Sequence, residues 1–239
     1  LEVSTEGVDF RSTQILGQLT ASDVDRGTYF EYQQVGAPID GLEISQTGAW
    51  SFDASHSSYQ TLTEGETLDI QVDYSVTDEQ GSSDQNSFTI TITGTNDIPI
   101  LSGVPTVLPG ASEDTVYTIT KTQLLAGFTD ADSGESDTLD IDQTTLIAYD
   151  DNGESVGSFT AVVATDEAGN AVLVLDEDGN PALDDEGNTI PIPTTQWTFT
   201  PDTNFNGLLT INYNVVDAAG ASVSASLDLD VAAINDAPE

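Results

Sequence analysis

The chain has no cysteine in 239 residues, so disulfides and thiolate metal sites are unavailable and cysteine pairing says nothing about compartment. Methionine is missing as well, and histidine occurs once, at His56. Positive charge is nearly absent: Arg11, Arg26 and Lys121 stand against 42 Asp and Glu, for a net charge of −39. Phosphate binding needs Lys and Arg to displace counterions, so nucleic acid and direct binding to anionic membrane surfaces are excluded; such a surface attracts cations. No apolar run approaches the roughly 18 residues of a membrane span. No basic-then-apolar signal segment opens the sequence, and the expectation is a soluble piece of something longer. Acidity on this scale can mean disorder, but 37% hydrophobic residues in a regular pattern argue for folded domains, and the length suits two.

The pattern that is present is alternation of apolar and polar residues, the period of a half-buried strand. Leu68, Ile70, Val72, Tyr74 and Val76 alternate, a turn follows at 78–81, and Phe88, Ile90 and Ile92 resume. Leu209, Ile211, Tyr213 and Val215, a turn at 217–220, then Leu227, Leu229 and Val231 repeat this. A constant offset of 139 residues carries Tyr74 to Tyr213, Asp78 to Asp217, Gly81 to Gly220, Asn96 to Asn235, Asp97 to Asp236 and Pro99 to Pro238. The phrase Asn-Asp-x-Pro is thus written twice, as GTNDIPI and AINDAPE. The front halves match more loosely. Asp23 and Asp25 correspond to Asp130 and Asp132, and GAWSF to TQWTF, with about 40 extra residues between Asp132 and Trp197. Within that insertion DEAGN, DEDGN and DDEGN punctuate apolar residues and suggest added hairpins. The expected fold is all-β: two tandem antiparallel β-sandwiches of the Ig or cadherin-like kind, residues 1–98 and 99–239, with one short helical turn at 121–126 and a short calcium-binding linker between them.

The acids fall at the poles of these sandwiches. Asp130, Asp132 and Asp217 are expected at the entrance pole of the second domain, where the linker Asn96 and Asp97 arrives. Two Asp at i and i+2 in extended chain project to one side with α-carbons roughly 6.5 to 7 Å apart, close enough to share an ion. Ca²⁺ takes oxygens from Asp, Glu, Asn and carbonyls, whereas Zn²⁺ would want the His and Cys that are scarce or absent, and Mg²⁺ keeps its waters. Asp23, Asp25 and Asp78 form the matching set of the first domain, Glu66 with Glu64 lies before the Leu68 strand, and Asp202, Asn204 and Asn206 stand beside Asn235 and Asp236 at the far end. Glu113 and Asp114 either cap the junction or begin a strand. DEDGN places its Gly too early for an EF-hand loop and reads as a plain turn, and His56 reads as a loop bystander. A salt-adapted, solvated surface is the competing account of the acids.

On these residues a resemblance can be named. GQLTASDVD, GAWSFD, YQTLTEGE, VDYSVTDEQG and TITGTNDIP make residues 8 to 99 resemble the VCBS repeat of large bacterial surface proteins. SEDTVYTIT, LLAGFTDAD, WTFTPDTNFNG, INYNVVDAAG and INDAP make the second domain resemble the bacterial cadherin-like domains of giant RTX adhesins. The resemblance implies a calcium-dependent extender exported by type I secretion to the bacterial surface, a monomer whose partners are neighbouring sandwiches of the same chain. It also implies calcium ligation by Asp97, Asp130, Asp132 and Asp217. Cadherin linkers read D-x-N-D-N, whereas Gly94 stands here at the first Asp and Ile98 at the last Asn, so fewer ions are implied. A sugar- or peptide-binding module built on the insertion is the alternative. Catalysis is not expected, because no Cys nucleophile exists and a lone loop His makes a Ser-His-Asp site improbable.

Overall fold

The computed structural model describes residues 2–5, 8–10, 14–24, 29–162 and 195–235. It divides into two compact units, Leu1–Asp97 with Ala131–Gly134, and Ile98–Asp130 with Glu135–Glu239. The first unit contains β1 (Glu2–Thr5), β2 (Val8–Phe10), β3 (Gln14–Gln18), β4 (Phe30–Gln34), β5 (Leu42–Ile44), β6 (Ala49–Asp53), β7 (Thr67–Asp78) and β8 (Ser83–Thr93). They form a five-stranded sheet, β2-β1-β8-β7-β4, and a three-stranded sheet, β3-β6-β5, all antiparallel. Register places Ile70 opposite Ile90 and Val72 opposite Phe88, so the alternating apolar residues of both strands share one face. That face meets Ile15, Leu42, Phe52 and Tyr59 from the other sheet and the loop after it, which makes a sandwich core.

The second unit contains β9 (Ile100–Leu101), β10 (Ala111–Ser112), β11 (Tyr117–Thr120), α1 (Lys121–Leu124), β12 (Phe128–Thr129), β13 (Asp140–Asp150), β14 (Ser158–Ala161), β15 (Gln196–Thr200), β16 (Gly207–Val216) and β17 (Ser222–Ala232). Its sheets are β10-β17-β16-β13 and β11-β15-β14, with β9 paired to β12; the short β10 to β17 contact is parallel. Trp197, Phe199, Leu209, Ile211, Tyr213, Val215 and Leu229 fill the core. The helical turn read at 121–126 is α1, held by a capping box in which Thr120 accepts from Gln123 N–H and Gln123 Oε1 accepts from Thr120 N–H.

The internal repeat is visible in the strand order. The pair β7-β8 corresponds to β16-β17, β4 to β13, and β3-β6-β5 to β11-β15-β14. Most of the extra length therefore sits in one connection: residues 45–48 join β5 to β6, whereas 162–195 join β14 to β15. The hairpins read at DEAGN, DEDGN and DDEGN lie outside the described residues.

The missing linker acid at position 94 has a steric cause. Gly94 N–H donates to Glu66 C=O at 2.8 Å and Gly65 N–H donates to Gly94 C=O at 3.0 Å, which fixes the backbone against the loop before β7. A Cβ there would stand 2.1 Å from Thr63 O and 2.6 Å from Leu62 O, both backbone atoms. Gly94→Asp is thus expected to add no ligand and to destabilise the first unit by about 2 kcal/mol or more in urea unfolding.

Tyr213 is buried, and its hydroxyl donates to Leu124 C=O at 2.8 Å, tying β16 to α1. Burial pushes its pKa up from 10 to about 12. Because the folded value exceeds the unfolded one, its stabilising contribution is whole below about pH 10 and is lost as pH rises towards about 12. Alkaline unfolding should show this component in the wild type and lack it in Tyr213→Phe, which is weaker by about 1 kcal/mol at neutral pH for want of the hydrogen bond.

Candidate metal centre

Three hairpins turn on one local device, an Asp followed three residues later by Gly. After β7, Asp78 Oδ1 accepts from Gln80 N–H and Ser82 N–H, both at 2.8 Å. After β13, Asp150 Oδ1 accepts from Asn152 N–H at 2.9 Å and Glu154 N–H at 2.8 Å. After β16, Asp217 Oδ1 accepts from Ala221 N–H at 2.8 Å. Gly81, Gly153 and Gly220 carry positive φ angles of 87°, 81° and 91°, which other residues adopt only with strain. The Glu154 N–H and the Asn152 side chain hold the Asp150 carboxyl below the ordinary carboxylate range. A side-chain acceptor at these positions therefore serves the turn, whether or not a metal is near.

What sets Asp217 apart is its neighbours. It is only 6% exposed, and oxygens of Asp130, Glu135 and Asp217 all lie within 4.8 Å of one another, a cluster built wholly from the second unit. Asp130 follows β12, and Glu135 opens a short 3-10 turn, Glu135–Asp137. Gly134 at φ 82° reverses the chain between them. The Ser136 hydroxyl accepts from Asp130 N–H at 2.8 Å and donates to Asp130 C=O at 3.0 Å, clipping the two ends of this loop together.

Electrostatics decides what such a cluster needs. Two carboxylates about 4.8 Å apart repel by about 3 kcal/mol at an effective dielectric near 20. A divalent cation reverses the sign. Ca²⁺ takes Asp and Glu oxygens at about 2.3 to 2.6 Å in flexible geometry, whereas Mg²⁺ demands near-ideal octahedral geometry and keeps several waters. The donor set is all hard oxygen, so the residues present fit calcium.

The remaining residues singled out in the sequence are distributed as follows. Asp132, 2% exposed, belongs to the first unit, and its Oδ2 accepts Asp97 N–H at 2.8 Å. Asn96 Nδ2 donates to Asp97 C=O at 2.8 Å. Glu66 Oε2 accepts from Thr63 N–H at 3.2 Å, facing its own loop. Asp23 and Asp78 line one cavity of about 340 Å³, and Asp25 lies outside the described residues. Asp202 and Asn235 are exposed, and Asp236 lies outside the described residues.

Two acids carry more than sequence reading gave them. Glu135 had only a weak signal, an acid just beyond a Gly in DADSGE. Glu113 is 2% exposed; its Oε1 accepts Ile234 N–H at 2.5 Å and its Oε2 accepts from Asn206 Nδ2 at 2.9 Å. It fastens the chain leaving β17 to the start of the unit.

Fold and cluster together give an all-β pair of sandwich units with an acidic cluster in the second. Residues 164–232 match the family model described as a cadherin-like domain. Cadherin-like domains as a class bind calcium, lie outside the cell and serve adhesion rather than catalysis. Among the described residues no helix is long and apolar enough to cross a membrane. Comparison with curated proteins finds no match. Among solved structures the chain is similar to protocadherin gamma B2 extracellular cadherin domains 3–6, at 15% identity and TM-score 0.36, covering 91% of this chain and 47% of that one. It is similar to human protocadherin-24 EC1-2 at 12% identity and TM-score 0.35, covering 98% and 99%, and to the human desmocollin-1 ectodomain at 16% and 0.29, covering 92% and 38%. The chain spans less than half the length of the first and third of these, and scores this low assign it neither activity nor partner.

Proposed function

We propose that this chain is a calcium-stiffened extender module of a bacterial surface adhesin of the RTX kind, spacing a distal adhesive region away from the cell. The observation that carries the reading is the convergence of Asp130, Glu135 and Asp217, which fits calcium and which nothing in the turn geometry requires. The cadherin-like match over 164–232 and the net charge of −39, which favours cations over any anionic partner, support it. The VCBS-like phrases of the first unit supply the adhesin context. The protein acts as a monomer within a longer chain, and its partners are the sandwiches on either side.

Small-angle scattering tests the mechanical claim. The expected result is a longer, narrower distance distribution in millimolar calcium than in chelator, with flexing at residues 96–104 when the ion is removed. Identical profiles in the two buffers contradict it.

A further inference from the structure

The turn after β13 differs from its two counterparts at the residue before the Gly. Gly81, Gly153 and Gly220 follow Gln80, Asn152 and Ala219, so only this turn contains an Asn-Gly step. A second such step, Asn206-Gly207, enters β16, and the sequence holds no other. Asn-Gly is chemically labile, because Gly has no Cβ to shield its amide nitrogen from the preceding side-chain amide. Both Asn side chains are held by a carboxylate: Asn152 Nδ2 donates to Asp150 Oδ2 at 3.0 Å, and Asn206 Nδ2 donates to Glu113 Oε2 at 2.9 Å. The two acceptors differ in burial. Glu113 is 2% exposed, whereas Asp150 is half-buried and residues 151–155 after it are all exposed.

We propose that Asn152 is a site of spontaneous deamidation, and that the fold protects Asn206 from the same reaction. Gly153 N forms a bond to Asn152 Cγ as the Cγ–Nδ2 bond breaks, and Nδ2 leaves as ammonia with the proton given up by Gly153 N–H. Water then opens the cyclic imide at either carbonyl, leaving aspartate or isoaspartate. In the closed turn Gly153 N–H donates to Asp150 C=O at 3.0 Å and Asn152 N–H donates to Asp150 Oδ1 at 2.9 Å, so the reaction needs the turn to open. At this exposed tip water takes up every group that opening releases. Freeing Asn206 instead strips a buried carboxylate oxygen of its partner, which costs far more.

The product works against the turn that made it. A carboxylate replaces the Nδ2 donor opposite Asp150 Oδ2, turning a hydrogen bond into a like-charge contact. Isoaspartate also routes the backbone through the side chain, lengthening a loop whose ends are joined by Asp150 N–H donating to Glu154 C=O at 2.9 Å. β13 and β14 are edge strands of different sheets, so what loosens is the corner that carries the chain from one sheet of the second unit to the other.

The test incubates the whole wild-type chain in mildly alkaline buffer, once folded and once in guanidinium chloride, and locates deamidation by mass spectrometry. Trypsin is of little use against three basic residues, but chymotrypsin cuts at Tyr149 and Phe159 and isolates the turn. Each site's folded rate is taken relative to its own denatured rate. Folding is expected to slow Asn206 at least about ten-fold more than Asn152, as a buried charged acceptor holds its partner more firmly than an exposed one. Equal protection of the two sites, or stronger protection of Asn152, would overturn the proposal. So would an Asn152 that stays intact in the folded chain while the denatured chain converts. Asn152→Asp mimics one product, and amide hydrogen exchange at Glu154 should be faster in it than in the wild type; unchanged exchange would overturn the loosening of the corner.

Discussion

Calcium at about a hundred times its dissociation constant raises the melting temperature of the second unit by about 5 to 10 °C over chelator, and sodium chloride at matched ionic strength does not. Extracellular calcium modules commonly bind in the range of about 10⁻⁴ to 10⁻³ M, so tens of millimolar calcium suffice. Binding only to the folded state then contributes about 2.7 kcal/mol, which corresponds to several degrees in a domain of this size. A surface that is merely salt-adapted responds to any ionic screen, because its charges are exposed and far apart. The cluster of Asp130, Glu135 and Asp217 is neither, with Asp217 6% exposed and the three within 4.8 Å. Melting curves in calcium, chelator and sodium chloride separate the two accounts. An equal gain in both salts would favour the salt-adapted surface.

Asp217→Asn loses most of that calcium response and is at least as stable as the wild type in chelator. The amide oxygen of Asn still accepts Ala221 N–H, so the hairpin between β16 and β17 is kept. One of three charges is gone, which relieves about 3 kcal/mol for each repulsion removed when the ion is absent and weakens its hold when present. The molecule contains its own control. Asp150 makes the same turn with its Oδ1 on Asn152 and Glu154 N–H but lies outside the cluster, so Asp150→Asn leaves the calcium response as it is in the wild type. Equal responses in the two variants would mean that the turn, not the ion site, accounts for Asp217.

The strands were legible because their physics is local. Alternation in 68–76 and 209–215 places one side chain in two on the core face, and the turn phrases at 78–81 and 217–220 close the hairpins, so β7, β8, β16 and β17 follow from spacing alone. The repeat at an offset of 139 predicted two like units, and the shared strand order has the same origin. Asp130 and Asp217 were legible for a related reason, since one follows a strand and the other opens a turn.

Glu135 was not legible, because a carboxylate reaches a site 82 residues away in sequence only through the fold, and an acid in a sequence with 42 of them carries little information. The i, i+2 rule applied to Asp130 and Asp132 assumes extended chain, and the chain here bends at Ala131 and Asp132. Gly94 shows the converse: the departure from the cadherin linker pattern was plain in sequence, but its cause, the Thr63 and Leu62 carbonyls, needed coordinates.

The measurement that bears most directly on all of this is a crystal structure of the chain grown in ample calcium, with anomalous data to identify the ion. The account predicts calcium density among Asp130, Glu135 and Asp217, with oxygens about 2.3 to 2.6 Å from it. An ordered cluster with no ion, its carboxylates turned apart to water, would contradict it.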